Sequence, residues 1–550
     1  MTRREGPRPA PRLGHWARDE YRRLKAAEGM PAATHTAVRV EQDLVVTADD
    51  GTALLTDHWF AEGAGDTVVL IRTPYGRRSG GAMARFLAER GHHVVVSSCR
   101  GTFGSGGVFD PLHHEASDGQ AVLRWLRAQP WAGGMVQSFG FSYVGLTQWA
   151  LCEGPERPDA MVIGVSSRDF SRSIVYPGGG FAMETGVVWC YALDFQERPP
   201  IVGLYRLLRA RPRVAKASLA VPPEDAVLTA TGHRMSFFED WLAHSPDDPW
   251  WQPLRFAEQP GTPPITLLAG WQDLFLTGGF ADYATLRDRG DDVRIIAGDW
   301  THHGPDAGVV AVRELLRGFG AQAEAEPRVR VEIAGGGGWR NLPDWPPAHE
   351  DAVWHLAPAG ALAPEASAHE SSAGYRYDPA DPTPQAGGRS LNPFVSGRRD
   401  QAPRENRDDV LVFTSSPLEA ELTVIGDAEV ELSFTSTSPA VDFFLRLCDV
   451  DEAGVSHTVT DVFQRMPGAN GRREVRLRLS PTAYRFAAGH RLRLQVSSGA
   501  HPLHLRNPGT ADPVHDFSRL VPSEQTIFLG GAAPSALHLP VVPGSSAEAT

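Results

Sequence analysis

The pattern of apolar and polar positions divides the chain into three parts, and the first is a run of short buried strands separated by helices. The segments 68–72 and 93–98, VVLIR and HVVVSS, are largely apolar, and 82–91 between them has the amphipathic spacing of a helix. Strand, helix and strand at this spacing predict parallel βαβ units. A helix over 117–129 and a strand over 135–139 continue the pattern.

The second part is a segment inserted into the first. The βαβ pattern stops near Ser167 and resumes near Pro264, where 265–270 and 293–298 predict two more buried strands. The intervening segment, rich in aromatic residues and proline, has helical periodicity and predicts an inserted helical lid. Its aromatic side chains either line a substrate pocket or build the core of the lid, and the second alternative is favoured. These residues are Trp189, Tyr191, Phe195, Phe237, Phe238, Trp241, Trp250 and Trp251.

The third part begins near residue 328. It consists of strands in which apolar and polar residues alternate, divided by Gly, Pro, Asn and Asp. Many short strands with turn signals predict an antiparallel β-sandwich. At the other end, a helical pattern from Trp16 to Ala27 predicts a helix that packs on a neighbouring element or a partner chain. The predicted domains are an N-terminal extension (1–40), an α/β domain (41–167 and 262–327), a helical lid (168–261) and the sandwich (328–545).

Composition narrows the possible functions. A chain of 550 residues is long enough for two to four domains. The net charge of -13 argues against nucleic-acid binding, which needs a basic face. The four cysteines lie far apart without metal-ligand spacing, so they predict free buried thiols and neither metal nor cofactor. With no apolar signal region and no long apolar run, we expect a cytoplasmic protein that does not bind membranes.

Ser142 is the candidate nucleophile. It directly follows the strand predicted over 135–139 and precedes a helical stretch, which is the context of a nucleophile elbow. Small residues are needed around the tight turn, and Gly140 and Gly145 supply them, although Val144 makes the motif GxSxxG instead of GxSxG. The backbone N–H of Tyr143 at the helix start is suited to hold an oxyanion.

Two other serines are weaker candidates for the nucleophile. Ser138 lies inside the apolar strand, and Ser105 belongs to a glycine-rich loop. Neither is followed by a helix, so neither has the geometry of an elbow.

An acid and a base follow Ser142 in the order that α/β-hydrolases use. Asp273 ends the strand over 265–270 and His302 follows the strand over 293–298, so both lie at the carboxyl edge of the sheet. His302 would accept the serine proton, and Asp273 would orient the imidazole. His303 is a rival base and Asp299 a rival acid. Taken singly, Asp273 is also a candidate helix N-cap and His302 a candidate loop histidine.

Together with these residues, a series of ordered motifs resembles the cocaine esterase family, also called the CocE/NonD hydrolases, which are related to X-Pro dipeptidyl-peptidases and α-amino-acid ester hydrolases. The resemblance spans about residues 42 to 530. The motifs are AspGlyThr at 50–52, ArgThrProTyr at 72–75, ArgGlyThrPheGlySerGlyGly at 100–107, GlyPheSerTyrValGly at 140–145, TyrProGlyGlyGly at 176–180, GlyTrpGlnAsp at 270–273, TrpThrHis at 300–302 and GlyTrpArgAsnLeuProAspTrpPro at 338–346.

The resemblance implies Ser142, Asp273 and His302 as the triad, since Trp300-Thr301-His302 matches the family motif and selects His302 over His303. It also implies that Tyr75 supplies the side-chain half of the oxyanion hole and that the sandwich is a jelly roll. Without it, Tyr75 would be interpreted as an aromatic residue packed at a strand end. The sequence departs from the family at Ser98 and Cys99, where an Asp is often found, which puts the packing around Arg100 in doubt.

The expected function is cleavage of an ester or amide bond of a small acyl substrate through an acyl-enzyme on Ser142. Activity should fall in acid, where His302 is protonated. One alternative is an acyltransferase with the same triad. Another is an X-Pro dipeptidyl aminopeptidase, for which no carboxylate cluster is identifiable; a third is a binding module with an inactive core. Substrate identity, ester or amide preference and oligomeric state stay open, with a homo-oligomer among the expectations.

Overall fold

The computed structural model describes residues 7–11, 14–318, 327–468, 470–513 and 517–543. Within these ranges the chain forms an eleven-stranded mixed sheet and a thirteen-stranded β-rich unit. The first sheet has the order β1-β2-β3-β5-β4-β6-β7-β8-β9-β10-β11. Its strands are β1 (Arg8–Pro9), β2 (Val38–Thr47), β3 (Ala53–Ala61), β4 (Val68–Thr73), β5 (His93–Ser98), β6 (Val136–Phe141), β7 (Ala160–Gly164), β8 (Ile265–Gln272), β9 (Val293–Thr301), β10 (Val329–Ile333) and β11 (Gly338–Leu342).

The centre of this sheet is parallel. The pairs from β5 through β4, β6, β7, β8 and β9 to β10 all run in the same direction, whereas the pairs at both ends are antiparallel. Every residue of β4 and β5 is buried, because parallel strands are covered by helices on both faces. The predicted α/β core is therefore confirmed, with its carboxyl strand ends at one edge.

The helices cover the sheet and fill the long connection between β7 and β8. That connection is mainly helical, as its periodicity predicts, with one isolated β-bridge between Asp169 and Arg255, but its action as a lid stays a prediction. The helices are α1 (His15–Ala26), α2 (Gly81–Ala88), α3 (Glu115–Arg127), α4 (Tyr143–Trp149), α5 (Met183–Phe195), α6 (Pro200–Leu208), α7 (Ala210–Ala217), α8 (Asp225–Thr231), α9 (Ser236–Ala243), α10 (Leu276–Asp288), α11 (Pro305–Gly318) and α12 (Ala402–Glu405).

The C-terminal unit is almost entirely antiparallel, and among its paired strands in the described ranges only β13 and β15 run parallel. Its alternating buried and exposed positions place an apolar layer inside, as along β14 and β23. The strands are β12 (Glu350–Ala357), β13 (Ala361–Ala363), β14 (Ser371–Tyr377), β15 (Val410–Thr414), β16 (Leu422–Gly426), β17 (Glu429–Ser436), β18 (Ala440–Val450), β19 (Ser456–Pro467), β20 (Arg473–Arg478), β21 (Thr482–Phe486), β22 (Arg491–Ser497), β23 (Ser523–Leu529) and β24 (Ala536–Val541).

Two predicted domain boundaries do not coincide with the pairing of strands in the sheets, and the division into domains stays a prediction. The sandwich was placed from residue 328, yet β10 pairs in parallel with β9, and β11 pairs with β10, so both strands belong to the hydrolase sheet. Likewise the hydrolase domain was placed from residue 41, although β2 begins at Val38 and β1 pairs with it. Strand β10 alternates between buried and less buried positions as a sandwich strand does, so its polarity pattern alone does not assign it to the first sheet. Residues 319–326, near the predicted 327/328 boundary, and 544–545 lie outside the described ranges.

The predicted N-terminal helix is present as α1, and it packs within the chain. Leu24 is buried in the same apolar cluster as Met83 of α2 and Val312 of α11. Among the described helices, none combines the length and apolar character that crossing a membrane requires.

Candidate active site

Ser142 lies at a sharp turn between β6 and α4. Its φ of 58° is in the left-handed region, which non-glycine residues adopt rarely and mainly at strained functional positions. A Cβ added at Gly140 would lie 2.1 Å from the carbonyl oxygen of Val144, and one at Gly145 would lie 2.6 Å from the Cβ of Ser166. The two glycines are therefore required by close packing, and GxSxxG forms a nucleophile elbow despite Val144.

The three residues predicted as a triad lie in one hydrogen-bonded line. The Nε2 atom of His302 is 3.0 Å from the Oγ of Ser142, and its Nδ1 is 2.6 Å from the Oδ2 of Asp273. Asp273 is fully buried and its other oxygen accepts the backbone N–H of Phe275 at 2.7 Å. Its carboxylate thus both caps the turn before α10 and orients the histidine. This arrangement can remove a proton from the serine hydroxyl.

The rival residues have other partners. His303 Nε2 is 2.9 Å from the carbonyl oxygen of Leu391, and burial lowers its pKa. Asp299 forms an ion pair with Arg398. Ser105 accepts the N–H of Leu55 and donates to the carbonyl of Ser98, so its hydroxyl holds the glycine-rich loop in place.

Tyr75 lies two residues beyond the end of β4 and lines the same cavity as Ser142. Its phenolic oxygen accepts the indole N–H of Trp189 at 3.0 Å. Burial raises the pKa of Tyr75 well above its usual range, so the phenol keeps its proton. A phenol that accepts one hydrogen bond and retains its own proton is prepared to donate to a developing oxyanion. Sequence spacing did not identify Trp189 for this contact, since α5 is distant in the chain.

The side chain of Tyr143 points into a buried network that fixes the elbow. Its hydroxyl donates to Oε1 of Glu115 at 3.1 Å and accepts the N–H of Leu112 at 2.9 Å. Arg72 donates to the carbonyl oxygen and the carboxylate of Glu115 at 2.7 and 2.8 Å. Because Arg72 precedes Tyr75 by three residues, one buried ion pair links both predicted halves of the oxyanion hole.

The packing around Arg100, in doubt from the sequence, is fully satisfied. Arg100 donates to both carboxylate oxygens of Asp118 at 3.0 and 2.6 Å and to Asp50 at 2.5 Å. Ser98 accepts from Arg77 at 2.9 Å. Carboxylates from α3 and from the turn before β3 therefore pair with Arg100.

The candidate triad opens into a cavity of about 530 Å³ whose lining is mostly apolar. Volumes of this size are typical of small-molecule sites. Of the eight aromatic residues noted in the helical segment, only Trp189 and Trp241 line the cavity, and the others are buried or partly buried in the apolar core. Leu391 and Pro393 from the C-terminal unit complete the wall. Within the described ranges, no three His, Cys, Asp or Glu side chains are grouped to hold a metal.

An elbow serine, a hydrogen-bonded histidine and a buried carboxylate at the edge of a parallel sheet define a serine hydrolase of the α/β-hydrolase type. Comparison with known proteins narrows this class. Residues 50–304 match the family model of the X-Pro dipeptidyl-peptidases (S15 family), and residues 321–538 match the model of the X-Pro dipeptidyl-peptidase C-terminal non-catalytic domain.

Individual relatives agree with the two models. The chain is 28% identical to cocaine esterase from Rhodococcus sp. (strain MB1 Bresler) over an alignment of 572 residues, gaps included. The alignment covers 92% of this chain and 98% of that protein. An α-amino acid ester hydrolase structure has a TM-score of 0.77 at 20% identity, covering 94% and 99% of the two chains. An aminopeptidase structure from a marine sediment Thaumarchaeota archaeon has a TM-score of 0.78 at 21% identity, covering 93% and 98%.

The chain carries both domains of the X-Pro dipeptidyl-peptidase (S15) family and is related over nearly its whole length to cocaine esterase, which places it among the cocaine esterase-like serine hydrolases. It is an enzyme of the serine esterase type.

Proposed function

We propose that the enzyme hydrolyses small-molecule esters whose acyl group is apolar and bulky. Ser142, His302 and Asp273 form the triad. The observation that carries the proposal is the hydrogen-bonded Ser142–His302–Asp273 line opening into an apolar cavity of about 530 Å³. An apolar cavity favours an acyl group that loses little by leaving water.

The reaction proceeds in two halves. His302 Nε2 accepts the proton of Ser142 as Oγ bonds to the carbonyl carbon, and the oxyanion is held by the Tyr75 hydroxyl and the Tyr143 N–H. The bond between the acyl carbon and the alcohol oxygen then breaks, and that oxygen takes the proton from His302. Water, deprotonated by His302, attacks the acyl-enzyme in the second half, and Ser142 Oγ leaves with the proton. Asp273 stabilises the imidazolium in both halves.

X-Pro dipeptidyl aminopeptidase activity is an alternative consistent with the family. The lining of the cavity disfavours this activity. Release of an N-terminal dipeptide requires a carboxylate to bind the substrate ammonium, yet no Asp or Glu is among the described residues lining the cavity. An acyltransferase would use the same triad with an alcohol or amine in place of water. The partition of products with and without added acceptor distinguishes transfer from hydrolysis.

The proposal includes a cytoplasmic location. The cysteines Cys99, Cys152, Cys190 and Cys448 are all buried free thiols, which suits a reducing compartment. Activity should follow the cytoplasmic fraction when cells of the source are separated into compartments.

The nucleophile is tested by replacing Ser142. Ser142→Ala should lower kcat for an aryl ester by about 10⁵-fold or more, because the covalent route is lost. Wild-type enzyme should also be labelled by a fluorophosphonate at the peptide that contains Ser142, as detected by mass spectrometry. Ser105→Ala is the matched control and should keep both turnover and label. Full turnover in Ser142→Ala, with no label on the wild type, would exclude the serine mechanism.

A further inference from the structure

A second cavity, of about 390 Å³, lies beside the catalytic cavity. The two cavities share Phe141, Val144, His302 and His303, whereas Ser142 lines the first cavity alone. They therefore meet at the flanks of the nucleophile and at the base.

The second cavity has an apolar interior and a charged rim. Ile71 at the end of β4, Met83 of α2 and Val309 of α11 supply apolar surface. On the remaining side, α1 contributes the buried Leu24 together with Glu20 and Arg23, whose side chains are exposed. A ligand that fits this lining has an apolar body and a polar far end.

The helix that completes the cavity is attached firmly to the core. The hydroxyl of Tyr21 donates to Glu89 at 2.6 Å, and Arg313 donates to the carbonyl oxygen of Glu28 at 2.7 Å. Leu24 is 2% exposed. The matched S15 model begins at residue 50, so this wall of the cavity lies outside the region that the family model describes.

The chemistry of ester cleavage assigns the two cavities different parts of the substrate. The acyl carbon is bonded to Ser142 and its oxygen faces Tyr75, so the acyl group occupies the cavity that these residues line. The alcohol oxygen must take its proton from Nε2 of His302, so the alcohol lies beside the histidine. His302 lines both cavities, and the second of them is lined by neither Ser142 nor Tyr75.

We propose that the second cavity binds the alcohol portion of the ester, and that α1 sets which alcohols are accepted. The inference rests on the proposed ester hydrolysis. It assigns the cavity to an alcohol that is apolar next to the ester oxygen and polar at its far end.

Gly308 on α11 offers a way to fill this cavity. It lines the cavity, and a Cβ added there would meet no atom within 4 Å. In Gly308→Phe, kcat/KM for benzoate esters of large alcohols, divided by that for methyl benzoate, should fall at least about tenfold. The same variant should show the wild-type ratio across methyl esters of acids of increasing size. Arg23→Trp fills the cavity from the exposed rim and should act in the same direction.

Two further variants separate the cavities. Val188→Phe narrows the first cavity and should change the acyl-size ratio while the alcohol-size ratio stays at its wild-type value. Arg22→Phe adds a ring on α1 at an exposed residue that does not line the cavity, and should change neither ratio.

The outcomes distinguish this inference from the proposed function. If the wild type hydrolyses both ester series but Gly308→Phe and Arg23→Trp leave the alcohol-size ratio unchanged, or alter the acyl-size ratio instead, the assignment of the second cavity is overturned. If folded wild-type enzyme hydrolyses neither series, the proposed function fails, and the inference fails with it.

Discussion

At the scale of single residues, the site depends on groups that are held in place before any substrate binds. Ser142 is kept in a left-handed conformation by the two glycines of the elbow, and the Asp273 carboxylate is fully buried behind His302. Tyr75 receives the indole N–H of Trp189 and keeps its own proton. Donors fixed in advance cost no reorganisation when negative charge develops, which is the main source of stabilisation in such sites.

The role of Tyr75 can be measured separately from binding. Tyr75→Phe should lower kcat by about 10²- to 10³-fold with little change in KM, because the lost hydrogen bond forms mainly in the transition state. Steady-state kinetics on one aryl ester measure both constants. Tyr176→Phe is a matched control, since the hydroxyl of Tyr176 donates to the carbonyl oxygen of Trp241 and does not line the cavity. A rise in KM at constant kcat would mean that Tyr75 only shapes the pocket.

At the scale of elements, the C-terminal unit forms part of the catalytic cavity through one short loop. Leu391 and Pro393 line the cavity, and the loop is held by Glu184 of α5. Glu184 is 2% exposed; Ser390 donates to its carboxylate at 2.6 Å and Asn392 at 3.2 Å. The carbonyl of Leu391 also receives a hydrogen bond from His303. The loop thus connects the C-terminal unit with the helical segment and with His303, the neighbour of the candidate base His302.

Removing this anchor should affect substrate binding more than chemistry. Glu184→Ala should raise KM for a bulky acyl ester about tenfold while kcat falls less, because hydrogen bonds to a charged group are worth about 1.5–3 kcal/mol. Kinetics should be measured alongside the melting temperature to confirm folding. Glu370→Ala, which removes an exposed partner of Arg472 far along the chain, is the control and should keep KM. Unchanged KM in folded Glu184→Ala would show that the loop does not depend on this contact.

At the scale of the whole molecule, buried histidines tie stability to pH. Burial lowers the pKa of His58 to about 3, and burial also lowers the pKa of His504 to about 3. Both are neutral in the folded chain at pH 5, whereas an unfolded histidine has a pKa near 6.5. Their contribution to stability is therefore complete above about pH 6.5 and is lost as the pH falls below it.

Stability should accordingly decrease from pH 7 to pH 5. Each of these histidines should account for about 2 kcal/mol of the loss at pH 5, because pH 5 lies about 1.5 units below the pKa of an unfolded histidine. Urea unfolding at both pH values measures the loss. His504→Phe, which keeps an aromatic ring against Phe463, should reduce it, whereas exposed His369→Phe should not. Equal losses in wild type and His504→Phe would contradict the assignment.

The sequence by itself determined the local features of this protein. Apolar runs defined the central strands, as at 93–98, where predicted and observed bounds coincide. The order of Ser142, Asp273 and His302 after successive strands located the candidate triad, because parallel strands bring their carboxyl ends to one edge. Bottom-up spacing left His302 and His303 as alternatives, and the resemblance to a family was needed to choose between them.

Only the tertiary structure decided which distant residues meet. The Tyr75–Trp189 hydrogen bond spans 114 residues, and the loop at 390–393 reaches the cavity from another folding unit. Strand β10 pairs with the edge of β9, and β11 pairs with β10, so both lie in the first sheet. Polarity patterns do not show which strand lies next to which. Periodicity reports the environment of each position, whereas the identity of its neighbours depends on how the whole chain packs.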